Sequence, residues 1–478
     1  MTSDGQPVER LRDYLRTLTP EARAMLIAEL ERGMLRSEGG AGIDLVLAEL
    51  RRAIRAEAQP VKRVDDAARL FFAPLDPFLV DEASHDKRVG RIAREALESI
   101  WAWIGRDLMP AETKALSEDI HRAVLADDRL RAEQLTRALH ERAIRRIKEA
   151  IAAASDDEKA RRRFAVQVGT PRAVDDLGTL LRILAIRDVL ADLARRLPAH
   201  LRIFEREQID PIKVLLDGAT AQKSPEAAAR SADIILFALV LVMGRLAAPW
   251  QLVRIATQAA ESDDTARVAE TPCAVAVTIV LGEVESMVSE LRAELKAHRP
   301  VISLLRGLHD AVRGLRTELD LSVDSPWSRR LAAIRAEISN LLKAEIESTP
   351  GRVRRLLRPR PIKDILPGSL LDGIDVSEAE MLVEFVDACR TYANELAINE
   401  IAMRSYSELQ HYLETSTKVL LDGLRHAGDA DRPFRQSQVD AAIRFCRTVF
   451  GGDYAGLLAK AAEIAVQSAT NERRPARA

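Results

Sequence analysis

Thr271-Pro272-Cys273-Ala274-Val275-Ala276-Val277-Thr278-Ile279-Val280-Leu281 decides the fold class, because here the composition competes with helix. Consecutive Val, Thr and Ile side chains suit a buried strand. The segment nevertheless opens on a threonine before a proline. Proline at a first helical position gives up no needed N–H, and the preceding side-chain oxygen can cap free amides. With helical sequence on both sides, 274–280 reads as a buried helix. Removing this best strand candidate leaves an all-α chain.

The same dipeptide recurs outward from there. Thr19-Pro20, Asp76-Pro77, Thr170-Pro171, Asp210-Pro211, Ser224-Pro225, Ser325-Pro326 and Thr349-Pro350 repeat the signal, although Asp-Pro also opens turns. Ser155/Glu158 and Ser377/Glu380 have capping-box spacing. Between these starts the apolar period is helical. Leu331, Ile334, Ile338, Leu341, Leu342 and Ile346 make one stripe, and Leu409, Leu413, Leu420 and Leu424 another. Ile234–Met243 is apolar all round but about half of what a bilayer requires, and Arg245 follows it, so it reads as a core helix packed against 273–281. No transmembrane segment is expected.

Composition agrees. Of 478 residues 47% are hydrophobic and 4% aromatic, a core of aliphatic side chains and alanine suited to helices. The 71 basic and 73 acidic residues give a net charge of −2, so there is no global attraction to nucleic acid. The excess of Arg over Lys is that of a GC-rich, bacterial genome. Cys273, Cys389 and Cys446 are odd in number and widely separated, against a disulfide framework or a zinc site. Met1–Arg16 lacks an apolar signal core, and a cytoplasmic location is expected.

Two or three helical units follow: an N-terminal segment over 1–60, containing the Gly39-Gly40-Ala41-Gly42 break, and a central core over 61–348. A basic Pro/Gly-containing connection over 349–375, a C-terminal unit over 376–470 and a disordered tail over 471–478 complete the chain. The prolines at 350, 359, 361 and 367 argue against one continuous helix across the connection.

Phosphate-binding, zinc-protease, nucleophile-elbow and EF-hand patterns are missing. The sharpest catalytic pattern is two Glu-x-x-His elements, Glu118/His121 and Glu408/His411, each placing both ligands on one helix face. Two such elements with further glutamates, from among Glu384, Glu395 and Glu400, would suit a di-iron or di-manganese carboxylate site. Eight histidines among abundant glutamates also produce this spacing by chance. Paired aspartates at 65–66, 127–128, 156–157, 175–176 and 263–264 lack the third aspartate of a diphosphate site, and read as acids opposing helix dipoles.

Arg352, Arg354, Arg355, Arg358, Arg360 and Lys363 form a basic run interleaved with Val353, Leu356 and Leu357, suited to an anion, an anionic membrane or a partner. Solvated or intramolecularly paired arginines are the reading preferred here. Arg161-Arg162-Arg163 follows acids that neutralise it. Phe71, Phe72, Phe78, Trp101 and Trp103 are candidate partner-interface residues, with one core and one half-buried tryptophan as the alternative. The leading expectation is a non-enzymatic helical protein acting through an unidentified protein partner as adaptor, scaffold or regulatory subunit. The alternatives are a metal-binding protein or oxidoreductase built on the two Glu-x-x-His elements, and peripheral binding to membrane or nucleic acid through 352–363.

Overall fold

The computed structural model describes residues 67–81, 87–155, 157–221, 225–322 and 324–471, together with Met25, Leu26 and Val46. The Thr19-Pro20 start, the glycine break at 39–42 and Asp65-Asp66 lie outside the described residues, as do Asp156 and 472–478. The rest is 81% helical, with eighteen α-helices and one two-stranded parallel pair among the described residues. Helices α1 (Ala67–Phe72), α2 (Ala96–Trp103), α3 (Pro110–Leu125) and α4 (Arg129–Ser155) come first. Then follow α5 (Glu158–Val168), α6 (Pro171–Ala185), α7 (Arg187–Arg196), α8 (Arg206–Thr220) and α9 (Pro225–Met243). The central helices are α10 (Val253–Ala260), α11 (Thr265–Ala269), α12 (Val275–Lys296), α13 (Ile302–Glu318) and α14 (Pro326–Leu357). The last four are α15 (Gly373–Leu396), α16 (Asn399–Arg425), α17 (Arg432–Phe450) and α18 (Gly452–Asn471). Strands β1 (Leu79–Val80) and β2 (Ile92–Ala93) pair Leu79 with Ile92 and Val80 with Ala93.

The chain divides into two units, Met1–Phe71 with Pro110–Arg142, and Phe72–Met109 with Ala143–Ala478. In the first, the buried His140 ring meets the Phe71 carbonyl at 2.8 Å and the Phe71 ring at 4.8 Å. Asp128 accepts from the Arg131 amide and so caps α4. In the second, α14 to α18 pack as a bundle, with α13 against α15 and α12 against α14.

The deciding stretch is helical. Pro272–Ala274 forms a 3-10 turn that runs into α12, and Thr271 before it makes no cap: its hydroxyl donates back to the Val268 carbonyl at 2.9 Å. β-Branched residues are tolerated because Ala276, Val277, Ile279, Val280 and Leu281 are all buried, and packing outweighs their modest propensity cost. Pro272–Lys296 is also the one stretch among the described residues long and apolar enough to cross a bilayer by length and composition. It packs among α9, α10, α13 and α14, and its Glu285 pairs with Arg330 at 2.6 Å. Ile234–Met243 is buried throughout apart from the partly covered Ile235, as a core helix requires. The following arginine has its own place: Arg245 donates to the carbonyls of Ala194 (3.2 Å), Leu197 (3.2 Å) and Pro198 (2.9 Å) at the end of α7. A cation is favoured there by the helix dipole.

The capping signals are mixed in outcome. Thr170 and Ser325 cap α6 and α14 through their hydroxyls, accepting from the amides of Ala173 and Trp327. Five other sites are corrected. Pro350 lies inside α14, which continues to Leu357, so the Pro/Gly connection occupies 358–372. Proline there removes the N–H that would reach Ile346, but Thr349 and Pro350 are buried, and packing carries the helix through. Pro211 lies inside α8, which begins earlier at a reciprocal Glu205/Gln208 box. Ser155 ends α4, and Asp157 caps α5 instead. Ser377 is interior to α15, whose cap is Asp372. Asp76-Pro77 sits within a 3-10 turn.

Candidate functional site

A cleft of about 640 Å3 lies between α12, α13 and the 3-10 turn Pro249–Leu252. Its apolar surface is supplied by Val280, Val284 and Met287 of α12, Ala311 of α13, and Trp250. The space exists because α13 presents Gly307, Ala311 and Gly314 on one face, spaced by four and three residues. A β-carbon at Gly314 would be driven into the Trp250 indole, and one at Gly307 would stand 2.7 Å from the Met287 methyl. Helix and tryptophan approach closely because position 314 has no side chain.

Most charged groups at the cleft are already committed. Arg254 meets Glu318 at 2.7 Å, donates to the Phe204 carbonyl at 3.0 Å, and lies 5.4 Å from the Trp250 ring centroid. Glu283 is paired with Arg88 at 3.1 Å. Behind that pair Arg91 donates to the Pro77 carbonyl at 3.0 Å. Burial lowers the pKa of Arg91, opposed by Glu283 and reinforced by Arg88. Asp310 is held loosely, 4.0 Å from Arg306. Arg313 is exposed at the rim with no ion-pair partner among the described residues. The lining is therefore mainly apolar, with Asp310 and Arg313 as its exposed charged groups.

The sequence-predicted residues fall elsewhere. Glu118 and His121 are exposed on α3, and Glu408 and His411 are exposed on α16, in the other unit. Glu408 pairs with Arg354 at 3.2 Å, and Glu395 with Arg316 at 2.7 Å. Glu384 is partly covered and Glu400 exposed. No group of three or more His, Cys, Asp or Glu side chains placed to hold a metal occurs among the described residues. Of the paired aspartates expected to oppose helix dipoles, Asp128, Asp157 and Asp264 stand just before helices and cap them with their side chains. Asp176 does not. It is buried in α6, pairs with Lys87 at 3.3 Å and accepts from the Ala93 amide at 3.1 Å, tying β2 to the helix.

Phe71, Phe72, Phe78 and Trp103, expected at a partner interface, are all buried inside the chain. Phe78 stacks edge-on to Phe237, and Trp103 to Phe164. Trp101 is partly covered, 6.0 Å from Phe72, so the core-plus-half-buried arrangement holds. The basic run is divided. Arg352 pairs with Glu378 (2.9 Å) and Glu345 (3.5 Å), Arg354 with Glu408, and Arg360 lies 5.0 Å from the Phe434 ring centroid. Arg355, Arg358 and Lys363 are exposed and have no ion-pair partner among the described residues.

Sequence reasoning missed the cleft, although Gly307-x-x-x-Ala311-x-x-Gly314 carried a signal: three small residues on one helix face after an isolated Pro249-Trp250. No family model, no curated protein and no solved structure matches the chain.

Proposed function

We propose that the chain is a non-enzymatic helical protein that works by contact, as an adaptor, scaffold or regulatory subunit. In this reading the cleft between α12 and α13 receives an apolar side chain or short segment of a protein partner. One observation carries it: the cleft has an apolar lining beside which Arg254 is spent on Glu318 and Glu283 on Arg88, while Asp310 and Arg313 stand at the exposed rim. Self-paired charges rim a recognition surface well, whereas general acid–base chemistry needs groups free to exchange a proton with a ligand.

The test is purification of the tagged full chain from its native host, beside the variant Asp310→Trp. Asp310 is on the rim and largely exposed, so a bulky ring there fills the cleft without entering the core. The expected result is one protein recovered in stoichiometric amount with the wild type and lost with the variant, at unchanged melting temperature. Recovery of the wild type alone, or equal retention by the variant, overturns the reading.

A further inference from the structure

The connection after α14 leaves four large aliphatic side chains in solvent. Ile362 is 64% exposed, Leu366 76%, Leu370 65% and Ile374 77%, each four residues from the last. Fraying does not account for them, because the backbone that carries them is held in place. The buried amide of Gln438 on α17 donates to the carbonyls of Leu356 (3.4 Å) and Arg358 (3.0 Å). Further along, the Gly368 amide reaches the Ala430 carbonyl at 3.2 Å, and the Leu371 amide reaches the Ser437 hydroxyl at 3.0 Å. Ile365, between Ile362 and Leu366, is buried, so the strap carries covered as well as exposed aliphatic side chains. Pro359, Pro361 and Pro367 restrict it further.

Cations stand at the start of this projecting row. Arg355, Arg358 and Lys363 are exposed with no ion-pair partner among the described residues, and Arg360 lies against Phe434. Three acids share the segment. Asp372 is used in capping α15, accepting from the Ile374 amide at 2.8 Å, and Asp375 lies in the same first turn. Asp364 is the acid within the basic stretch.

We propose that the strap 358–374 docks on an anionic lipid surface, with Ile362, Leu366, Leu370 and Ile374 entering the headgroup–acyl boundary and Arg355, Arg358 and Lys363 meeting lipid phosphates. Charge complementarity selects the occupant: exposed cations beside projecting aliphatic side chains match a surface that is anionic outside and apolar within. The projecting row has no aromatic ring on which bases could stack, which disfavours single-stranded nucleic acid.

The test is flotation of the full chain with phosphatidylcholine vesicles, alone and mixed with phosphatidylglycerol, at low salt. Two variants accompany it, I362S/L366S/L370S/I374S and R355Q/R358Q/K363Q. All seven positions are exposed, and unchanged circular dichroism and melting temperature establish that both variants fold. The expected result is flotation with the mixed vesicles and not with phosphatidylcholine alone, with the partition coefficient lowered about tenfold or more by each variant. Binding should also weaken at high salt. Absence of flotation at low salt overturns the proposal, as does wild-type binding by either variant or equal binding to neutral vesicles. Loss of a dimer in the aliphatic variant, with no vesicle binding by the wild type, would assign the strap to a second copy of the chain instead.

Discussion

Asp431 has a side chain only 3% exposed and meets Arg435, one turn later on α17, at 2.5 Å. Burial alone would raise its carboxyl pKa. The hydrogen bond and charge of Arg435, with backbone donors at Gly428 and Asp431, outweigh that and hold the pKa below the ordinary carboxylate range. A pKa lower in the folded than in the unfolded chain gives stability that is present above about pH 4 and lost as pH falls through the folded value. Asp431→Asn should therefore cost roughly 1.5–3 kcal/mol at neutral pH. Urea denaturation at neutral and acidic pH checks this, and the gap between wild type and variant should close in acid. Gly314→Ala tests the other kind of residue effect. In an open helix the change would be favourable, but here the new methyl meets the Trp250 indole. A loss of roughly 1–3 kcal/mol is expected, with a shift in tryptophan emission, because a packed contact has to give. Unchanged stability and emission would show that the cleft wall is looser than this geometry.

At the scale of the helix, Thr170 and Ser377 carry equally good capping signals and have opposite fates. Thr170 accepts from the Ala173 amide at 3.1 Å, whereas Ser377 is the fifth residue of α15. Thr170→Ala should lower stability by about 1 kcal/mol, and Ser377→Ala should leave it within about 0.5 kcal/mol of wild type. Equal losses in thermal melts would mean that both hydroxyls cap. The contrast explains what was legible. Helical period and proline position are local properties, and they locate α6, α12 and α14 in the sequence. Whether a proline begins a helix or is carried through one depends on what covers it. Thr349 and Pro350 are buried, and no nearby residue announces that. The αL position that ends α15 was equally hidden. Ala397 adopts a φ of 58° there, in place of the glycine that would have marked the end.

Across the whole molecule, all-α character follows from composition and period because each helix satisfies its own backbone. The sites depend on side chains brought together from distant parts of the chain, and here single-sequence spacing misleads. Arg254 reaches Glu318 and Phe204, and Arg335 reaches the carbonyls of Asn394 and Glu395 at the end of α15, contacts no motif encodes. The same reasoning bears on the two Glu-x-x-His elements. Spacing puts Glu118 with His121 and Glu408 with His411, but a di-metal site needs both pairs and further carboxylates around one point. Glu408 already pairs with Arg354, Glu395 pairs with Arg316, and all four motif residues are exposed on helices of two separate units. A two-ligand site in water binds iron or manganese weakly, since few ligands offset the ion's lost hydration. Protein purified from its native host should therefore carry less than stoichiometric iron or manganese by elemental analysis. Its melting temperature should be unmoved by a chelator, because metal bound to the folded state alone would stabilise it. His121→Ala and His411→Ala should behave as surface substitutions, within about 0.5 kcal/mol of wild type. Stoichiometric metal that disappears with His411→Ala would instead require both elements to converge, and would restore the oxidoreductase reading over the contact-based one.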